Sequence, residues 1–136
     1  MRKQRQARGF VAVEFSAAVA LLLIPMTLLA ASLPQWSERE HAATQIAYES
    51  ARRAAAQWPN VVLDDINTRA VEVARDLGVD PHDVALTMLD EGTRGGSVRV
   101  RVTITMPAIA VPGVGRAGAW HWTATQAVPI DRYRSR

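Results

Sequence analysis

The chain has no cysteine in 136 residues. That removes disulfides, thiolate metal sites and thiol chemistry, and it leaves the redox compartment open. Catalytic signatures are equally absent. There is no P-loop, no G-x-G-x-x-G and no G-x-S-x-G. His41, His82 and His121 are far apart, with no ligand spacing between any two. Asp64-Asp65 and the Asp80/Asp83 pair could attract a cation, but Asp64 is better read as a helix-start charge. We therefore expect no enzymatic activity, no cofactor, no metal site and no small-molecule substrate.

A third absence is local. From Phe10 to Leu33 there is no Lys, Arg or Asp, and the one ionisable side chain is Glu14. As a helix rising about 1.5 Å per residue, this segment reaches roughly 36 Å. The hydrocarbon core of a bilayer is about 30 Å thick, so the segment is long enough to span it. A charged acid at the bilayer centre costs roughly 2.5–3.5 kcal/mol. Glu14 lies near one end, where the cost falls. About a dozen Leu, Ile, Val and Phe side chains, at a few tenths of a kcal/mol each, offset it.

The net charge of +3 suggests a nucleic-acid binder at first sight. Its distribution argues otherwise. Four of the sixteen basic residues, Arg2, Lys3, Arg5 and Arg8, fall in the first nine positions, leaving twelve against thirteen acids. The remainder is near neutral, and no nucleic acid is expected as a partner. Arg132, Arg134 and Arg136 form a short basic tail that reads as a solvated terminus. The basic front flank should stay in the cytoplasm and send the rest of the chain outward.

Three readings of the front compete. A secretory signal peptide would have the basic start, the apolar run and small residues around Ala30, Ala31 and Ser32. Its apolar run would be long and its acid unusual. A plain signal anchor would tolerate Glu14 near the interface. The third reading accounts for every feature together. Gly9, four residues, then Glu14 and Phe15 resembles the G-x-x-x-x-E-F prepilin processing signal of the Tad (tight adherence, Flp-type) pilus proteins. The resemblance implies that a prepilin peptidase, a membrane aspartyl protease, cuts between Gly9 and Phe10. The amine of Phe10 would then meet Glu14 of a neighbouring subunit, where a carboxylate in lipid needs a positive partner.

Residues 1–9 are thus expected to be a basic leader, 10–33 a transmembrane helix, and 34–136 an extracytoplasmic α+β domain. In that domain Pro34 reads as a boundary. WSEREHAATQIAYESARRAAAQW, Trp36 to Trp58, is rich in helix formers, with Ser37 and Glu40 as a capping box at its start. Ala43, Ile46, Ala47, Ala51 and Ala54 form a shallow apolar stripe. After Trp58-Pro59, Asn60 is placed to cap a second helix. Leu63, Ile66, Ala70, Val73 and Leu77 give that helix one apolar face, and Gly78 ends it.

The period then changes to two. Val98, Val100, Val102, Ile104 and Met106 alternate with Arg99, Arg101, Thr103 and Thr105. Val84, Leu86 and Met88 alternate before them, and Asp90 to Gly96 reads as a hairpin loop. Arg99 and Arg101 belong to a solvated strand face. Pro107 to Gly118 reads as a loop, and Ala119 to Val128 as a third strand with Trp120, Trp122, Ala124 and Val128 on one face. His121 should point the other way. A small antiparallel sheet of about three strands, its apolar face covered by the second helix, is expected.

This layout resembles the TadE-like minor pilins, which have a processing signal, one spanning helix, an Ala-rich helix and a few C-terminal strands. AATQIAYESARRAAA, Ala42 to Ala56, is similar to that family's A-A-R-E-G-A-R-A-A-A segment, with Tyr48-Glu49-Ser50 in place of Arg-Glu-Gly. Residue by residue, the likeness covers Gly9 to Ala56. It implies a minor pilin or pseudopilin in the bacterial inner membrane, single-pass, with other pilin and Tad assembly subunits as partners. The alternative is a membrane-anchored or secreted binding domain. Trp36, Trp58, Trp120 and Trp122 keep that alternative open, because exposed tryptophans favour interfaces.

Overall fold

The computed structural model describes residues 2–111, 115–117 and 120–131, with side chains at 11–108, 115 and 120–131. The tail arginines Arg132, Arg134 and Arg136, and Gly118 and Ala119, lie outside the described residues. The chain divides into two compact units. One holds residues 1–34 and 108–118, the other 35–107 and 119–136.

Helix α1 is a single element, Arg2–Gln57, with Pro25 and Pro34 inside it. The helix runs unbroken through Pro34, the residue at which the two units divide, and Ser37 and Glu40 sit mid-helix instead of at a cap. A proline removes one backbone N–H and leaves one carbonyl four residues earlier without its partner. Good helix formers on both sides carry the remaining ladder through.

In the first unit, every residue from 11 to 20 is exposed, and Phe15 and Leu21 show 70% and 80% of their surface. The hydroxyls of this stretch turn inward to the backbone. Ser16 donates to the Ala12 carbonyl at 2.8 Å, Thr27 to the Leu23 and Ile24 carbonyls at 3.0 and 2.8 Å, and Ser32 to the Leu29 carbonyl at 2.7 Å. The segment expected to be a plain loop, Pro107 to Gly118, contains a two-stranded ribbon, β3 (Ile109–Val111) paired antiparallel with β4 (Gly115–Ala117). Strands of three residues are too short for alternation to reveal them.

The second unit is an α+β sandwich of two helical segments on a three-stranded sheet. The sheet runs β1 (Val84–Asp90), β2 (Ser97–Thr105), β5 (His121–Pro129) in that spatial order, antiparallel throughout. Its apolar face is the expected one. Val98, Val100, Val102 and Ile104 are fully buried, with Val84, Leu86 and Met88 beside them on β1 and Trp122, Ala124 and Val128 on β5. Helix α2 (Leu63–Asp76) covers this face, joined there by the 42–55 stretch of α1. The alanine stripe of α1 is completely buried at Ala43, Ala47, Ala51 and Ala54. Small side chains let a helix backbone approach its neighbours closely, and Ile46 fills the remaining volume.

On α2 the buried face is Ile66, Ala70, Val73 and Ala74. Leu63 and Leu77, expected on that face, stay 51% and 37% exposed. They occupy the ends of a fourteen-residue helix, beyond the reach of the core. The cap is also different. Val62 holds the N-cap position with no side-chain bond, and Gln57 Oε1 accepts its N–H at 3.2 Å. Asn60 instead donates its own N–H to the Gln57 carbonyl at 3.0 Å. The C-terminus is as expected. Gly78 adopts φ +70°, its N–H bonds to the Arg75 carbonyl, and Val79 N–H bonds to the Ala74 carbonyl. This is the Schellman arrangement, which needs a left-handed residue. At the β1–β2 turn, Gly92 has φ +76°, and a Cβ there would lie 2.5 Å from Ile130 Cδ1 and 2.9 Å from the Ser97 carbonyl oxygen.

Candidate functional site: the Gly9–Phe15 segment

The four residues singled out in the sequence, Gly9, Phe10, Glu14 and Phe15, all lie on α1. The backbone at Gly9 and Phe10 is helical, while their side chains are outside the described set. A glycine weakens a helix interior by about 1 kcal/mol relative to alanine, so Gly9 is a weak point in this turn. Glu14 follows five residues on, about 7.5 Å along the axis. Of its helical neighbours at three and four residues, Phe10, Val11, Ala17 and Ala18, all are apolar and the last three are exposed. Among the described residues the Glu14 carboxylate has no hydrogen-bond or ion-pair partner. Phe15 lies one residue round the helix and is exposed. The segment therefore presents one acid on an apolar rod whose hydroxyls are already satisfied.

By length and composition, α1 contains a stretch able to cross a membrane, and none of that stretch is buried in the protein. In water so much exposed apolar surface is unfavourable, at about 25 cal/mol per Å². Lipid or neighbouring helices would remove that cost.

The second unit places its polar groups in structural roles. Arg39, which the sequence showed only as a helix former, reaches from α1 to Asp83 Oδ2 at 2.9 Å and to the Thr105 carbonyl at 2.8 Å. It ties the helix to the short 3-10 turn Pro81–Asp83 and to the end of β2. Asp80 accepts the His82 N–H at 2.9 Å and so caps that turn. Asp65 accepts from Arg53 Nε at 2.8 Å and from the Gln57 amide, and Arg69 bridges Glu49 and Glu72 at 3.6 and 3.3 Å. These pairs line a groove of about 460 Å³ between α1 and α2 in which opposite charges alternate. The hydrogen bond from Arg53 holds the Asp65 carboxyl below its ordinary range, helped by the Arg53 charge and Gln57, while partial desolvation opposes it. Arg53 is correspondingly raised, first by the same hydrogen bond. Among the described residues no three His, Asp or Glu side chains gather where a metal could bind.

None of the four tryptophans is fully buried. Trp36, Trp58 and Trp122 are half-buried, and Trp58 Nε1 donates to the Gly92 carbonyl at 3.3 Å. Trp120 is 38% exposed. Trp36, Trp120 and Trp122 stack edge-to-face in series, each pair 5.9 Å between centroids. This geometry adds about 0.5–1.5 kcal/mol per pair beyond area burial. Among the described residues two side-chain polar atoms are buried without a partner, Trp36 Nε1 and Ser50 Oγ. Ser50 stands where the resembling segment has glycine, and it points into the alanine-lined core. His121 faces the opposite side of the sheet from Trp122 and lies 3.4 Å from Thr105 Oγ1.

No family model matches the chain, nor does any curated protein or any solved structure.

Proposed function

We propose that this chain is a minor pilin or pseudopilin, TadE-like, of a Tad-type pilus or secretion apparatus. A prepilin peptidase cuts it after Gly9. Residues 10–33 hold it in the inner membrane, and the domain beginning at residue 34 stands outside the cytoplasm. Its role is assembly, with pilin and Tad subunits as partners, and it is not an enzyme.

The observation that supports this most is Glu14. It is the one acid in the exposed apolar stretch 11–33 of α1, it is unpartnered among the described residues, and it follows a glycine by five positions. A lone carboxylate in lipid is costly until a cation neutralises it. The new amine at Phe10 of an adjacent subunit supplies that cation at the same depth. A carboxylate that is unfavourable alone and favourable in an assembly is a device for making assembly obligatory.

The test is the intact mass and N-terminal sequence of the protein taken from its host membrane. A start at Phe10 supports the proposal. A start near Leu33 means a secreted domain and ends it. An intact Met1 leaves an anchored domain, and the exposed edge of Trp120 then becomes the first surface to examine for a binding role. Glu14→Ala separates the readings a second way: assembly should fail, whereas a simple anchor would be unaffected.

A further inference from the structure

The three-stranded sheet has two edges, and they are built differently. β1 is broken by a register irregularity between Met88 and Asp90 and ends on a charge. Bulges and charges are the usual means of keeping an edge strand from pairing further. β5 has neither. Its register against β2 is continuous from His121 to Pro129, and those nine residues carry no Asp, Glu, Lys or Arg.

The hydrogen bonds at the two ends of the β2–β5 ladder show which groups are free. Met106 N–H donates to the Trp120 carbonyl at 2.8 Å, and Ile130 N–H donates to the Gly96 carbonyl at 2.9 Å. In an antiparallel pair the direction alternates residue by residue. Even-numbered residues of β5 therefore turn their backbone groups to β2. His121, Thr123, Thr125 and Ala127 turn theirs to the open side. Pro129, which has no N–H to offer, falls in the same outward set, where a proline does no harm to the ladder. Among the described residues no strand or loop backbone bonds to this side.

We infer that the open edge of β5 is a strand-pairing surface for a second copy of this chain, joined antiparallel about a two-fold axis. Thr123 faces Thr125 of the other copy, and His121 faces its Ala127. Each of the four outward N–H groups then meets a carbonyl. A two-fold contact sets the strand against its own copy, so a strand of one charge would repel it. This strand is uncharged throughout. At the axis, on the core side, Ala124 meets Ala124, the smallest side chain on the strand. One added strand pair is a weak contact in water. Two copies whose apolar helices share a bilayer have a much higher effective concentration. The inference does not rest on processing at Gly9.

The test uses the full chain in phospholipid vesicles. Because the chain has no cysteine, introduced thiols are unique. Thr123→Cys and Thr125→Cys chains, mixed and oxidised, should form a disulfide-linked dimer in several-fold excess over Thr87→Cys, an exposed position on β1. Adding Ala127→Pro to both chains removes one outward N–H per copy and should lower the dimer yield about tenfold, with tryptophan fluorescence unchanged. Ala127→Lys combined with His121→Lys sets lysine against lysine across the contact and should do the same by charge repulsion, and it serves where the proline variant does not fold. Cross-linking no higher than at Thr87→Cys overturns the inference. So does a yield that neither Ala127 variant reduces. A Thr125→Cys adduct formed in host membranes with a different protein, and not with a second copy, overturns it as well.

Discussion

The two stretches of α1 use one backbone for opposite purposes. Residues 11–33 put large side chains outward and bury almost nothing. Residues 42–55 turn alanines to a core and bury them almost completely. Both are apolar and helical, yet size separates them. A helix that meets lipid needs bulk on all sides, because transfer free energy scales with apolar area. A helix that meets a sheet and another helix needs smallness on one side, because close approach maximises contact.

Five substitutions test that division, all read by tryptophan fluorescence or membrane partition of the full chain. Ile46→Ala, in the buried half, should destabilise the second unit by about 2–5 kcal/mol in denaturant unfolding. Leu22→Ala, in the exposed half, should leave that transition where it is, and an equal loss at both positions would dissolve the distinction. Leu22→Arg should cost about 2.5–3.5 kcal/mol in membrane insertion and nothing in the unfolding of the second unit. Ala47→Leu should destabilise by about 1–3 kcal/mol through overpacking, whereas added bulk at exposed Ala18 should be silent.

The smallest effect belongs to the groove. Asp65 has its folded pKa lowered by the Arg53 hydrogen bond. Its contribution is therefore present above the unfolded value near 4 and is lost as pH falls through the lower folded value. Asp65→Asn should remove that segment of the acid unfolding curve. The change in stability at pH 7 should be slight, as for other surface pairs. A large loss at neutral pH would show that the α1–α2 groove bears more weight than the core beneath it.

Much of this was legible beforehand because period reports direction. The alternation from Val98 to Ile104 named the buried face of β2, and the stripe from Ala43 to Ala54 named that of α1. Gly78 ended α2 as its backbone freedom requires. Period does not report extent, and here the reading departed from the fold. Leu63 and Leu77 fit the face of α2 but overhang the core. Pro34 has the chemistry of a boundary, yet the helix passes through it, because one missing bond is outweighed by its neighbours. Asn60 has the chemistry of a cap, yet Gln57 reaches the N–H first.

Local pattern alone carries the apolar segment with its single acid, the Gly9–Glu14 spacing, the change of period from helix to strand, and the α+β order. Each depends on residues close together along the chain. Folding alone ties α1 through Arg39 to Asp83 and Thr105, stacks three tryptophans in series and, among the described residues, leaves Ser50 buried without a partner and β5 with an open, uncharged edge. Each of these joins residues distant in sequence, and what lies opposite a side chain is set by packing, which no local pattern encodes.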